Sequence, residues 1–94
     1  MNARLTRRAA RDIREIGGYL KSQNPSAAAR VEQALWAAIR VIEEHPHAGR
    51  LQERGVRRFS VSRFPYLIFY RIDVAAGSLD VLTIRHGARR PIIG

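Results

Sequence analysis

Apolar residues recur at Ala9, Ile13, Ile16 and Leu20, a spacing of 4, 3 and 4 that lays one stripe along a helix. The pattern predicts a helix from about Thr6 to Ser22, with Thr6 as its N-cap. The preceding "NARLT" is only weakly patterned and leaves a short first strand open. Arg7, Arg8 and Arg11 fall in the first turns, where the helix dipole disfavours cations by about 0.3–1 kcal/mol each, so local stability did not select them. Gly17 and Gly18 each weaken a helix by about 1 kcal/mol relative to alanine, which points to a packing reason such as close approach of the next helix.

Asn24-Pro25 is a second start signal, asparagine as N-cap and proline at the first helical position. Ala28, Val31, Leu35, Ala38 and Ile42 then form the buried stripe, with Arg30, Glu32, Arg40, Glu43 and Glu44 largely on other faces, and Pro46 and Gly49 end the helix. Only "KSQN" joins the two helices, so they form an antiparallel hairpin that must cover something else.

Three β-rich runs supply it: "VRRFSVS" (56–62), "YLIFYRI" (66–72) and "LDVLTIRH" (79–86), each bounded by Gly, Pro or Ser. The second is apolar on both faces, as a central strand buried on both sides would be, whereas the first alternates arginine with apolar residues. "DVAAGS" closes a hairpin between the last two. The expected fold is therefore α+β, in the order (β)ααβββ, with a helix hairpin on a small, mainly antiparallel twisted sheet.

Length and charge sharpen this picture. Ninety-four residues suit one domain, and no run approaches the roughly 18–20 apolar residues of a membrane helix. No secretory signal is expected at the start, no membrane partner is expected, and the absence of cysteine excludes disulfide and thiolate chemistry. Seventeen Lys+Arg face eight Asp+Glu, a net charge of +9, and sixteen of the cations are arginine. Residues 50–94 hold nine of them against Glu53, Asp73 and Asp80, a net of +6, while residues 1–49 hold eight cations against five acids, a net of +3. Guanidinium forks recognise carboxylates and phosphates, so an acidic protein or a nucleic acid is the indicated partner.

Candidate chemistry is sparse. His45 and His47 lie beside Glu43 and Glu44, but the intervening proline restricts them and no third ligand stands at a recognised spacing, so neither metal nor other cofactor is expected. There is no glycine-rich phosphate loop or Gly-x-Ser-x-Gly motif, and Ser60 and Ser62 have no evident triad. His86 ends the last strand among Arg85, Arg89 and Arg90. It has two open roles, general acid or base for phosphodiester cleavage, or a strand-end cap.

"NPSAAARV", "HPHAGR", "PYLIFYR" and "LTIRHGARRP", in that order, resemble the RelE/ParE superfamily of bacterial type II toxin–antitoxin toxins across nearly the whole chain. The resemblance implies a small cytoplasmic toxin, held in a higher-order complex by a cognate acidic antitoxin whose segment docks in a groove near Leu20, Leu35 and Trp36. Arg7, Arg8, Arg11, Trp36, Arg57, Arg63, Arg71, Arg85 and Arg90 are the expected partner- or target-facing residues. RelE-type members resemble ribosome-dependent mRNA endonucleases, for which Arg58, His86 and Arg89 are the candidate catalytic set. Leu67 follows Tyr66 where such enzymes place an arginine, and no tyrosine follows Tyr70. "PYLIFY" and "HGAR" are more similar to the ParE branch, which poisons DNA gyrase without a catalytic site. A fold relative that only binds an acidic partner is the third possibility.

Overall fold

The computed structural model describes residues 1–87. β1 (Asn2–Leu5) leads into α1 (Arg7–Gln23) and α2 (Pro25–Glu44). Then come β2 (Arg50–Leu51), a 3-10 turn (Glu53–Gly55), β3 (Val56–Ser60), β4 (Tyr66–Asp73) and β5 (Ser78–His86). The strands make one sheet in the order β1-β5-β4-β3-β2, with β1 parallel to β5 and every other pairing antiparallel. The expected α+β class and helix hairpin are present, and the short first strand left open by the sequence forms.

Thr6 explains why α1 starts where it does. Its hydroxyl accepts from the Ala9 amide at 3.0 Å and donates to the Leu82 carbonyl at 2.8 Å, while its own amide reaches the Val81 carbonyl at 3.1 Å. One residue thus caps the helix and ties it to β5. Asn24 caps α2 by accepting from the Ala27 amide at 3.2 Å. Ala9 and Ile13 of α1, with Val31, Leu35, Ile39 and Ile42 of α2, are buried against Tyr66, Ile68 and Tyr70 of β4 and Leu79, Val81 and Ile84 of β5. Each large aliphatic side chain so buried contributes about 1.5–3 kcal/mol.

The glycine pair has half of its expected explanation. The Glu32 carboxylate lies 2.8 Å from where a Cβ on Gly17 would stand, so α2 approaches α1 there through a side chain, whereas Gly18 faces open space.

Two strand expectations need correction. β3 stops at Ser60 rather than 62, because the chain turns: Val61 donates to the Tyr66 carbonyl at 2.9 Å and Arg63 adopts φ 73. β4 is the middle strand but is not buried on both faces. Tyr66, Ile68 and Tyr70 point under the helices and are buried, while Leu67 and Phe69 on the outer face are half-buried and Arg71 is exposed. The two-residue strand β2 was not foreseen; its pairing places Arg50 opposite Arg58 and Leu51 opposite Arg57.

Tyr70 holds the link between the layers. Fully buried, it donates its hydroxyl to the Pro46 carbonyl at 2.6 Å and accepts from the Gly49 amide at 2.9 Å. A Cβ on Gly49 would meet the Tyr70 ring and hydroxyl at 2.8 Å, so only glycine lets the turn after α2 lie this close. Tyr70→Phe is expected to cost about 1–3 kcal/mol, since it leaves a buried donor and acceptor unpaired while preserving the ring's packing. The urea midpoint should fall at unchanged slope; an unchanged midpoint would show that the hydroxyl contributes nothing to the turn.

Candidate functional site

Which face of the sheet a residue occupies follows from the pairing register, since directly opposed residues share a face. Tyr66 pairs with His86, Ile68 with Ile84 and with Phe59, and Tyr70 with Arg57; these residues lie on the inner face, under or beside the helices. Phe69 pairs with Arg58, Arg71 with Val56 and Leu67 with Arg85, and these lie on the outer face.

On the inner face the helices do not reach across the whole sheet. α1 packs against β5 and β1, and α2 against α1 and β1. Two helix axes packed about 10 Å apart sit over five strands whose outermost axes are four spacings of about 4.8 Å, or about 19 Å, apart. The uncovered margin is a cleft of about 520 Å³ between α2 and the β3–β4 turn. Ala34, Ala37, Ala38 and Val41 form one wall and Phe59 and Phe64 the other, with Arg30 and Arg63 also lining it. Small alanines on the α2 side keep the cleft open. Neither arginine has a carboxylate partner among the described residues.

Of the residues expected around the antitoxin groove, Leu20, Leu35 and Trp36, the structure takes Leu35 out of reach of a partner. Leu35 has 0% exposure, locked in the core, and Leu20 is half-buried at the core's margin. Trp36 is 43% exposed on α2 beside Glu32, Gln33 and Arg40; it does not line the cleft, but Gln33 and Ala37 border both. The cleft residues Arg30, Phe59 and Phe64 were missed. Their signal was the apolar Phe59 in an arginine-rich strand, which has no meaning until the width of the helical layer is known.

The remaining predicted residues divide into groups. Arg7, Arg8 and Arg11 are exposed on α1, whose first turn carries no acid. Arg57 serves the chain itself: its Nη1 donates to the carbonyls of Gly49 at 2.9 Å and His47 at 3.3 Å, holding the turn that Tyr70 also holds. Arg58, Arg71 and Arg85 lie on the outer face, and Arg63 stands in the β3–β4 turn. His86 packs edge-on to Tyr66, ring centroids 5.3 Å apart, and its buried Nδ1 has no hydrogen-bond partner among the described residues. Arg58 and His86 therefore occupy opposite faces of the sheet and do not form one constellation. Arg89 and Arg90 lie outside the described residues. Among the described residues no three His, Cys, Asp or Glu side chains are grouped to hold a metal.

Asp12, another residue without a sequence signal, ties α1 to the sheet. One carboxylate oxygen accepts from the Thr83 hydroxyl at 2.6 Å and from the Ile84 amide at 3.0 Å. It covers β5 beyond the end of its pairing with β1, next to the irregularity that separates Phe69–Thr83 from Tyr70–Val81. The ion pairs are equally telling. Arg4 takes both Asp80 at 3.0 Å and Asp73 at 3.4 Å. Two of the three acids in residues 50–94 are thus engaged by an arginine from the first half, and among the described residues no arginine from 50 onward makes a salt bridge.

A family model described as "ParE toxin of type II toxin-antitoxin system, parDE" matches residues 3–91. The chain belongs to the ParE toxin family. A curated relative from Sinorhizobium fredii, named "Putative toxin Y4kP", is 36% identical over 84 residues, covering 88% of this chain and 84% of the relative. A solved structure titled "Chromosomal ParDE TA system from P. aeruginosa" contains a chain that superposes with a TM-score of 0.79 at 21% identity. That match covers 92% of this chain and 95% of the other, and it shows the fold to be shared. The protein is thus a ParE-family toxin of the type II toxin–antitoxin class, and the RelE/ParE resemblance read from its motifs stands.

The two neighbouring arginines of β3 give this ParE-family chain a direct stability contrast. Arg57→Ala is expected to destabilise by about 1–3 kcal/mol through loss of two hydrogen bonds to the turn. Arg58→Ala should leave stability within about 0.5 kcal/mol or raise it, because it removes a like charge directly opposite Arg50. Equal losses in chemical denaturation would contradict the division of labour between the two faces.

Proposed function

We propose that the chain acts as one domain, the toxin of a toxin–antitoxin pair in the cytoplasm, neutralised by an acidic amphipathic antitoxin segment and, when free, poisoning DNA gyrase without a catalytic centre of its own. The observation that carries the non-catalytic reading is the separation of Arg58 from His86. A general acid or base must share reach of the scissile group with the cation that stabilises its charge, and a sheet stands between these two. The His86 environment also supports a packing role, edge-on to Tyr66. The choice of gyrase rests on the similarity of "PYLIFY" and "HGAR" to the ParE branch and on membership of that family.

The α2–β3 cleft is the surface that suits the antitoxin. An amphipathic helix can lower one or two large apolar side chains between Val41 and the phenylalanines while its carboxylates reach Arg30 and Arg63. Arg7, Arg8 and Arg11 extend the positive surface along α1 and raise the rate of encounter with an acidic partner. A higher-order complex follows if the antitoxin associates with itself while its segment is seated here.

Purified chain added to gyrase with supercoiled plasmid should accumulate cleaved DNA, while mRNA on translating ribosomes stays intact. Ribosome-dependent mRNA cleavage that His86→Ala abolishes would overturn the reading, and so would a chain that leaves both substrates and bacterial growth untouched. For the antitoxin, Ala37→Asp should lower affinity by about tenfold or more by placing a charge in the apolar wall, and the on-rate should fall as salt rises. An on-rate flat in salt, or full affinity with Ala37→Asp, would remove the cleft from the interface.

A further inference from the structure

The outer face of the sheet is built at a local cost to stability. Arg50 lies directly opposite Arg58, an arrangement that repels, and among the described residues no carboxylate pairs with either. Arg58 is directly opposite Phe69, Arg71 stands two residues along the same strand, and Arg85 pairs with Leu67 one strand away. On sheet spacings, the backbones bearing these three arginines lie within about 5–8 Å of that of Phe69. Two hollows meet at Val56 and Phe69. One, of about 690 Å³, runs toward Arg54 and Arg71 and includes Glu53; the other, of about 320 Å³, runs toward Leu82 and Arg85. Asp80 stands directly opposite Arg71 and Asp73 two residues beyond Arg71 on β4; both carboxylates are held by Arg4, and β2 and β3 carry no acid, which leaves that side of the face cationic.

We propose that this face binds single-stranded DNA, with phosphates on Arg58, Arg71 and Arg85 and a base stacked on Phe69. Arginines around one aromatic ring on an apolar floor are the elements of a strand-tracking platform, guanidinium forks for the phosphates and a π-face that accepts any base. The floor favours DNA: around Phe69, Val56, Leu67 and Leu82 offer no group to pair with a ribose 2′-hydroxyl, the Thr83 hydroxyl spends its proton on Asp12, and Gln52 and Glu53 line only the larger hollow. An acidic helix has its own surface in the α2–β3 cleft, on the other side of the sheet. The assignment does not depend on which protein the toxin poisons, and it gives the outer face a role that the antitoxin cleft does not.

Fluorescence anisotropy of the full chain with a labelled oligothymidine of about 12 nucleotides tests it. Binding should weaken with salt along a log–log slope of about −2, the value for three phosphates on a single strand. Joint replacement of Arg58, Arg71 and Arg85 by alanine should weaken binding by about tenfold or more. Joint replacement of Arg14, Lys21 and Arg40, which removes the same charge from exposed helix positions, should change it by less than about threefold. Phe69→Leu, which keeps apolar bulk and removes the π-face, should weaken it by about fivefold or more. Circular dichroism checks that each variant is folded, and the arginine comparison stands even if Phe69→Leu is not. Absence of binding at low salt, equal losses in the two arginine triples, or tighter binding of the matching oligouridine would overturn the proposal. Displacement of the DNA by an equal concentration of polyglutamate would also overturn it and identify an acidic protein segment as the occupant.

Discussion

A two-helix layer is narrower than a five-stranded sheet, and where that layer is pinned decides what the molecule can present. Thr6 and Asp12 fasten α1 to β5 through the Leu82 carbonyl, the Thr83 hydroxyl and the Ile84 amide, so the hairpin is held toward the β1–β5 side. The inner face of β3 is then left without a roof, and the cleft beside Phe59 follows as geometry. Widening that gap needs nothing more than the alanines of α2, which add helix propensity without filling the space.

The other side of the same constraint is the turn after α2. Releasing the chain from the helix layer and returning it to the sheet requires Gly49 to lie against Tyr70, with Arg57 drawing in the carbonyls of His47 and Gly49. The strand that results is only two residues long, yet it sets Arg50 across from Arg58 on the outer face. A packing requirement in the core and a charge arrangement on the surface are thus joined through one short segment. Charged pairs as exposed as those of Arg4 add little stability, but they decide which cations remain unmatched.

Much of this was legible in the residues, and the rest was hidden for identifiable reasons. The helices could be read because their stripes and caps are local: Thr6 and Asn24 cap where the pattern places them. The alternation in "VRRFS" announced a one-sided strand, but uniform hydrophobicity in "YLIFY" concealed that its outer half, Leu67 and Phe69, is only half-buried. Asp12, Tyr70 and Arg57 carry no sequence signal because their partners lie roughly 10 to 70 residues away and are mostly backbone atoms. Leu35 lies too deep to line a groove, because a helical stripe says that a residue is buried, not which neighbouring element is missing from beside it. The separation of Arg58 from His86 depended on register across three strands, which the sequence alone does not supply.

Guanidinium groups without a carboxylate partner among the described residues are the common element in the cleft and the outer face, and they accord with the net charge of +9. The most direct measurement of that claim is the thermal midpoint of the isolated chain between about 10 and 300 mM sodium chloride. Unmatched like charges repel within the folded state and are screened by added salt, so the midpoint should rise across this range. A midpoint that is flat or falls would mean that the arginines are already neutralised by the chain's own carboxylates, and would contradict the account.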